Sequence, residues 1–267
     1  MNRLRTRTTA GVTVYAALEG EGNEPLVLIH GFPFDHTMWE PQIRALRRDA
    51  KILAPDLLGL GRSELPAPLL SLDDYADDIL AWMDEAGIHR ATIAGLSMGG
   101  YIAFALWRRA RERVAALALL DTKAEADAED GKRARLETRK AIGSRGMSEI
   151  VEGMLEKALG KTTRRARLEV VEKVRRMILA TSPEGAMAAV DAMRERPDSV
   201  QDLAGIDVPA VVLVGEDDEL TPPSFARTMA ERIPNAKLVT IPGAGHVSSL
   251  EAPDKVTAVL RELLLSR

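Results

Sequence analysis

The stretch that most narrows what this 267-residue chain can become is Thr92-Ile93-Ala94-Gly95-Leu96-Ser97-Met98-Gly99-Gly100-Tyr101. A β-branched run passes into Gly-x-Ser-x-Gly and then into an apolar helical pattern, which reads as a strand, a cramped turn and a helix with Ser97 at the tip. Glycines at 95 and 99 remove Cβ atoms where strand and helix crowd together, so the serine can take a strained backbone conformation with its hydroxyl exposed. A lone serine is a poor nucleophile. The chain must therefore also supply a base, an orienting acid, an oxyanion hole and a pocket.

Strands and helices alternate on both sides of that turn. Arg3, Arg5 and Arg7 alternate with Leu4 and Thr6, which fits the polar face of a strand better than a transit peptide; Gly11 turns the chain into a second strand over residues 12–18, predicting a hairpin. Residues 26–29 form a continuous apolar run, as in a strand buried on both faces, and lead into His30-Gly31-Phe32-Pro33. A helix over 38–48, a strand over 51–54 and a glycine-rich loop over 55–63 follow. Ser71 caps a helix carrying Tyr75, Ile79, Trp82 and Met83, and Gly87 stops it. The helix after Ser97 is apolar almost all round as far as Trp107, the mark of a central, buried element. A strand over 114–120 ends at Asp121, and alternation resumes with an apolar run at 210–214, Pro222-Pro223 opening a helix, a strand over 237–241 and Pro253 opening the last helix. Alternation of this kind predicts an α/β fold with a mostly parallel sheet of about eight strands.

Between Thr122 and Arg196 the pattern changes to four successive helical stretches with no strand. This predicts a helical cap at 122–196 inserted after the sixth strand into one α/β core formed by 1–121 and 197–267. Within it, Ile150, Met154, Leu155, Ala158 and Leu159 form one apolar stripe, Leu168, Val171, Val174 and Ile178 another, and Ser182-Pro183 starts a third helix. The basic residues Arg164, Arg165, Arg167, Lys173, Arg175 and Arg176 are interleaved with Glu169 and Glu172, as on a solvated helix face. Met147, Met154, Met177, Met187 and Met193 supply cap core, with some left to form adaptable pocket wall.

Composition removes several functional classes. The 36 basic and 40 acidic residues are interspersed and leave a net charge of −4, which gives no footprint for nucleic acid or an anionic membrane surface. With no cysteine there is no thiol catalysis, disulfide or thiolate metal site, and the weak indication is cytoplasmic. No run approaches the roughly 18 apolar residues of a membrane span, and the N-terminus lacks the apolar core of a signal peptide.

A serine nucleophile needs a base, and the chain has four histidines. His89 lies in a helix-to-strand turn as a surface residue, His36 near a helix start as a cap or pocket-rim residue, and His30 at a strand end, where a role in positioning the following loop is favoured over a catalytic one. His246 sits in Gly243-Ala244-Gly245-His246 after the last strand, where a loop delivers side chains to the ligand crevice of an α/β sheet. The base in turn needs a carboxylate to fix its tautomer. Glu216, Asp217, Asp218 and Glu219 follow the apolar strand at 210–214, and spacing alone does not choose among them. For the oxyanion hole, Met98 offers the N–H of the residue after the nucleophile.

Five motifs now stand in order: His30-Gly31-Phe32-Pro33; Asp56-x-x-Gly59-x-Gly61-x-Ser63; Gly95-x-Ser97-x-Gly99; Gly215-x-x-Asp218-x-x-x-Pro222; and Gly243-x-Gly245-His246. In these the chain resembles the α/β-hydrolase superfamily over essentially its whole length, and in size and in the segment from Phe32 to Trp39 it resembles small bacterial serine esterases and 3-oxoadipate enol-lactonase-like hydrolases. The resemblance implies an α/β-hydrolase fold and selects Asp218 as the acid, with Asp121 as runner-up because some relatives supply the acid from that place. It also implies Phe32 as the second amide donor of the oxyanion hole; Pro33 has no N–H to give. The implied activity is hydrolysis of a small carboxylic ester by Ser97, His246 and Asp218, with no metal or organic cofactor. Serine at 97 argues against the dehalogenase and epoxide-hydrolase chemistry of relatives that use a carboxylate nucleophile. Enol-lactonases, C–C bond hydrolases and perhydrolases share the triad and stay open, as does a ligand-binding protein on the same fold.

Overall fold

A computed structural model describes residues 4–9, 11–67 and 71–266; Arg3 lies outside them. Eight strands form one sheet: β1 (Leu4–Thr9), β2 (Val12–Glu19), β3 (Glu24–Ile29), β4 (Ala50–Pro55), β5 (Ala91–Leu96), β6 (Val114–Leu120), β7 (Ala210–Gly215) and β8 (Lys237–Ile241). Their spatial order is β1-β2-β4-β3-β5-β6-β7-β8. β1 and β2 form the expected antiparallel hairpin, β2 also runs antiparallel to β4, and every pairing from β4 onwards is parallel. Every residue of β5 and β7 is buried, which explains why β7 reads as a continuous apolar run and why β5 departs from one only at the buried Thr92 and at Gly95.

The helices are α1 (Glu40–Leu46), α2 (Leu72–Glu85), α3 (Met98–Ala110), α4 (Glu129–Arg145), α5 (Ser148–Ala158), α6 (Lys161–Ala166), α7 (Leu168–Ala180), α8 (Pro183–Arg194), α9 (Pro223–Arg232), α10 (Ser248–Glu251) and α11 (Pro253–Leu265). Ser71 closes a capping box at the start of α2, its hydroxyl taking the Asp74 N–H while the Asp74 carboxylate takes the Ser71 N–H. α3 is buried from Met98 through Trp107 and meets solvent only at Arg108 and Arg109. It packs against β3, β5, β6 and α2, so the turn that carries Ser97 is braced from several sides. The helix expected from residue 38 begins instead with a 3-10 turn at His36–Trp39, capped by the Asp35 carboxylate, which accepts the Thr37 N–H at 2.8 Å.

Between residues 122 and 196 the described residues form five α-helices, α4 to α8, rather than four, and a 3-10 helix at Val200–Gly205 precedes β7. The additional one, α6, has six residues of which only Thr163 is buried, so no apolar stripe announces it. The α7 stripe is also displaced. Its buried face is Val170, Val174, Met177 and Ile178, whereas Leu168, at the open first position of the helix, is 66% exposed. The α5 stripe divides by depth: Leu155 and Ala158 are buried, with Val151 beside them, while Ile150 and Met154 are half-buried. Of the basic residues on α6 and α7, Arg165 and Arg176 are exposed, whereas Arg164, Lys173 and Arg175 are half-buried, with Arg175 bound to Glu152 and Glu172 and Lys173 reaching Glu40 at 2.6 Å.

The chain enters and leaves this helical segment through a narrow neck. Ser199 N–H donates to the Ala124 carbonyl at 2.9 Å, and Ala126 N–H to the Asp198 carboxylate at 3.0 Å. Arg196, 6% exposed, lies across both arms, donating to the Glu125 carbonyl and Asp127 carboxylate while stacking on Tyr101 with its guanidinium 4.1 Å from the ring centre.

Candidate active site

Ser97 has φ 55° and ψ −114°, a left-handed conformation that costs a side-chain-bearing residue about 1–3 kcal/mol and persists only where the surroundings impose it. They do so here. A Cβ on Gly95 would stand 2.2 Å from the Gly99 carbonyl oxygen, and one on Gly99 would stand 2.2 Å from the Ile29 carbonyl oxygen, so strand and helix approach more closely than any side chain permits. Ser97 N–H donates to the Leu120 carbonyl at 2.9 Å, and Thr122 Oγ1 donates to the Ser97 carbonyl at 2.8 Å, which fixes the turn against the end of β6.

Three loops at the ends of parallel strands bring the expected side chains together. His246 Nε2 lies 2.8 Å from Ser97 Oγ, and His246 Nδ1 lies 2.8 Å from Asp218 Oδ2. Asp218 is held in turn: Oδ1 accepts the N–H groups of Leu220 and Thr221, both at 2.9 Å, and Oδ2 accepts the Thr221 hydroxyl at 2.7 Å. Burial opposes charge on both partners, yet each stabilises the other's ionised form. The Asp218 carboxylate and its hydrogen bond raise His246 above the ordinary imidazole value, and the His246 charge and bond, with Thr221, hold Asp218 below the usual carboxylate range.

The other acids named in the sequence fall elsewhere. Glu219 is exposed on the same loop, Asp217 is half-buried with its N–H on the Ala244 carbonyl at 2.8 Å, and the exposed Glu216 accepts the Gly243 N–H at 3.3 Å. Asp121 is fully buried close to the relay, but it bonds to backbone: Oδ1 accepts Gly215 N–H at 2.9 Å and Oδ2 accepts Ser248 N–H at 3.2 Å. Burial, then the neighbouring Asp218 charge, push Asp121 up to about 8, so near neutral pH it is mostly protonated and ties the end of β7 to the histidine loop.

His30 takes the positioning role read for it. Its Nε2 accepts Leu57 N–H at 2.9 Å and its Nδ1 faces the Gly31 carbonyl at 2.9 Å, while burial lowers its pKa and keeps the ring neutral. His36 is buried and does not line the cavity above Ser97: its Nδ1 lies 2.6 Å from Asp56 Oδ1, which also accepts the His36 N–H, and Asp56 Oδ2 accepts Arg62 N–H at 3.0 Å. Asp35, His36 and Asp56 offer ligand-type atoms within 4.8 Å of one another, but both oxygens of Asp56 already hold these loops together. The braced segment presses onto the serine, since a Cβ on Gly31 would stand 3.3 Å from Ser97 Cβ. It carries Phe32 into the wall of the cavity above Ser97, and Met98 opens α3, where an N–H has no partner inside its own helix. His89 is exposed.

The cavity has a volume of about 480 Å³ and is lined by Ser97, His246, Phe32 and Tyr101 from the core. Ile150, Met154, Val190 and Met193 from the helical segment, and Leu220 from the acid loop, supply most of its apolar wall. Of the five methionines considered, Met154 and Met193 reach it; Met147 and Met177 are packed away among core side chains.

Sequence reasoning missed Glu251. Its side chain is nearly buried and accepts three backbone N–H groups, Gly245 at 2.9 Å and Val247 at 3.3 Å on Oε1 and Gly160 at 2.8 Å on Oε2. With His246 N–H donating to the Ala158 carbonyl at 2.8 Å, it fastens the histidine loop to the end of α5. Burial raises the pKa of this carboxyl. The one signal was an acid five residues after His246, a spacing that means nothing until the loop is folded.

The sequence matches the family described as alpha/beta hydrolase fold over residues 24–253. The structure is similar to that of a thermophilic esterase from Thermogutta terrifontis, 38% identical, with a TM-score of 0.91 over 98% of this chain and 96% of that one. It is also similar to the enol-lactonase from Burkholderia xenovorans, 28% identical, with a TM-score of 0.90 over 98% of this chain and 100% of that one. Among curated sequences, the chain is 32% identical over 90% of its length to the dihydrolipoyllysine-residue acetyltransferase component of the acetoin cleaving system of Pseudomonas putida, of which it spans 63%. Among the described residues no helix is long and apolar enough to cross a membrane.

Proposed function

Because the chain belongs to the alpha/beta hydrolase fold family, we propose that it is a serine hydrolase cleaving carboxylic esters of small substrates through an acyl-enzyme. The observation that carries this reading is the relay from Ser97 Oγ through His246 to Asp218, two contacts of 2.8 Å opening into a cavity of about 480 Å³. Ser97 is the nucleophile, His246 the base and Asp218 the group that fixes the Nδ1–H tautomer.

In this mechanism Ser97 Oγ attacks the ester carbonyl while its proton passes to His246 Nε2. The oxygen of the tetrahedral intermediate becomes an anion, which the Phe32 and Met98 N–H groups hold; one such donor is worth about 3–4 kcal/mol of transition-state stabilisation. His246, now an imidazolium steadied by Asp218, gives the proton to the departing alcohol. Water enters, loses its proton to His246 and attacks the acyl carbonyl, and Ser97 Oγ leaves with that proton as the carboxylic acid is released. Every group needed belongs to the chain itself or to water.

The helices between residues 122 and 196 act as a cap that shapes the acyl-binding wall. A lactone reading has support of its own in the similarity to the Burkholderia enol-lactonase over 98% of this chain and 100% of that one; the steps are the same, with the leaving alkoxide tethered to the acyl group. Replacing Ser97 by alanine is expected to leave the circular dichroism spectrum unchanged while abolishing both turnover of short p-nitrophenyl esters and covalent labelling by a fluorophosphonate. Undiminished turnover in that variant would sink the proposal, and tight ligand binding by a wild type that neither turns over nor labels would favour a receptor.

A further inference from the structure

The wall of the cavity above Ser97 has more positive than negative charge. Four of its residues are formally charged: Lys123, Arg135 and Lys157 against Asp127. Asp127 is already shared by Lys123 at 2.9 Å, by Arg135 and by Arg196 at 2.9 Å from behind the wall. Burial opposes its charge, but the arginine bonds hold its carboxyl well below the usual range, so it is a single fixed negative charge among several cations. Three further acids of the surrounding helices pair elsewhere, Asp130 with Arg133, Glu137 with Lys140 and Asp191 with Arg139, and none of the three lines the cavity.

Two of the cations keep donors for a ligand. Arg135 uses Nε on Asp127 and Nη1 against Met193 Sδ at 3.4 Å, and its Nη2 has no partner among the described residues. Lys157 is exposed and makes no ion pair among the described residues. An uncompensated cation beside an apolar wall favours an anion over a neutral group, and a guanidinium offers the planar fork that suits a carboxylate.

We propose that Arg135 and Lys157, backed by Lys123, form an anion subsite, and that the substrate is an ester or lactone whose acyl part carries a second, free carboxylate. The proposal rests on the hydrolase reading above: Ser97 acts at one end of the acyl chain while the cations hold the other, and the apolar side chains between bind the methylenes.

The test compares kcat/KM, by pH-stat titration, for monomethyl esters of the straight-chain C4 to C8 dicarboxylic acids with methyl esters of the matching monocarboxylic acids. At its best chain length the anionic series is expected to exceed the neutral one by at least tenfold. Lys157→Met should lower that ratio about fivefold, as for an exposed charge pair worth about 1 kcal/mol, and Lys157→Glu should lower it further. Arg135→Met should lower it by about tenfold or more, as for a hydrogen bond to a charged group. Lys140→Met, which removes a cation from α4 that does not line the cavity, should leave it unchanged. Thermal unfolding and the rate of fluorophosphonate labelling show that each variant is folded. A wild-type ratio near one at every length, or one that Lys157→Glu and Arg135→Met do not move while Ser97 still labels, overturns the anion subsite and leaves the hydrolase reading standing. Absence of both ester turnover and Ser97 labelling in the wild type overturns the hydrolase reading, and the subsite with it.

Discussion

Replacing Asp218 by asparagine tests the assignment of the acid with little change of shape. The Asp218 side chain takes part in four hydrogen bonds. The asparagine carbonyl can keep the two from the Leu220 and Thr221 N–H groups, so the loop should hold; the amide NH2 then faces the Thr221 hydroxyl at 2.7 Å and His246 Nδ1 at 2.8 Å. An NH2 donates to Nδ1, which puts the imidazole proton on Nε2, pointing at Ser97 Oγ. The serine then meets a donor where it needs an acceptor. A tautomer reversed in this way costs about 10⁴ in kcat, or about 5.5 kcal/mol at roughly 1.36 kcal/mol per decade. Folding stability should fall by about 1.5–3 kcal/mol for the lost charge-assisted bond. Asp121→Asn is the control, since that side chain bonds to Gly215 and Ser248 rather than to His246 and is already mostly protonated; it should cost less than about tenfold in kcat, under about 1.4 kcal/mol. The assay is ester turnover by both variants, with urea unfolding alongside. Asp218→Asn within tenfold of wild type, together with a thousandfold loss in Asp121→Asn, would refute the reasoning and transfer the role to Asp121.

The pH profile follows from His246. Its pKa is raised, so the protonated and inactive form persists above the ordinary imidazole value; kcat/KM should fall as pH drops through a pKa above about 6.5, and an acid limb at or below that value would contradict the raised pKa. Glu251→Ala strips the acceptor from Gly160, Gly245 and Val247. At about 1–3 kcal/mol for each buried N–H left without a partner, offset by water entry and by the burial cost that already raises the Glu251 pKa, we expect a net loss of about 2–4 kcal/mol in urea unfolding and a larger effect on kcat than on KM. A stability change below about 0.5 kcal/mol would mean that the clamp does not hold.

The sheet was legible in the sequence because strands buried on both faces have no choice of composition. β6 and β7 each read as an unbroken apolar run, β5 breaks its own at the buried Thr92, and their ends carry the loops in which the motifs stand. The nucleophile turn was legible for a related reason, since Gly95 and Gly99 stand where a Cβ has no room. The helices after β6 were less so. α6 is too short and too exposed for a periodic pattern, and Leu168 continued a stripe that the packing begins two residues later, at Val170. Glu251, Asp127 and Arg196 escaped notice because each acts through partners distant in sequence. A buried carboxylate that gathers three amides looks, on paper, like any surface glutamate.

The neck at residues 124–126 and 196–199 also bears on how such a chain can change over generations. Two arms held side by side by Arg196 present the core with a short fixed gap, so a longer segment spliced between them adds little closure cost, about 0.6 kcal/mol for each doubling of its length. On that footing, a change of length in those helices need not disturb the pairing of β6 with β7 or the turn at Ser97. The exception is the stretch from Ala158 to Gly160, which touches the histidine loop through His246 N–H and Glu251. Any successor segment must bring its own carbonyl and amide to that spot, and it is there that a change in the helices would reach His246.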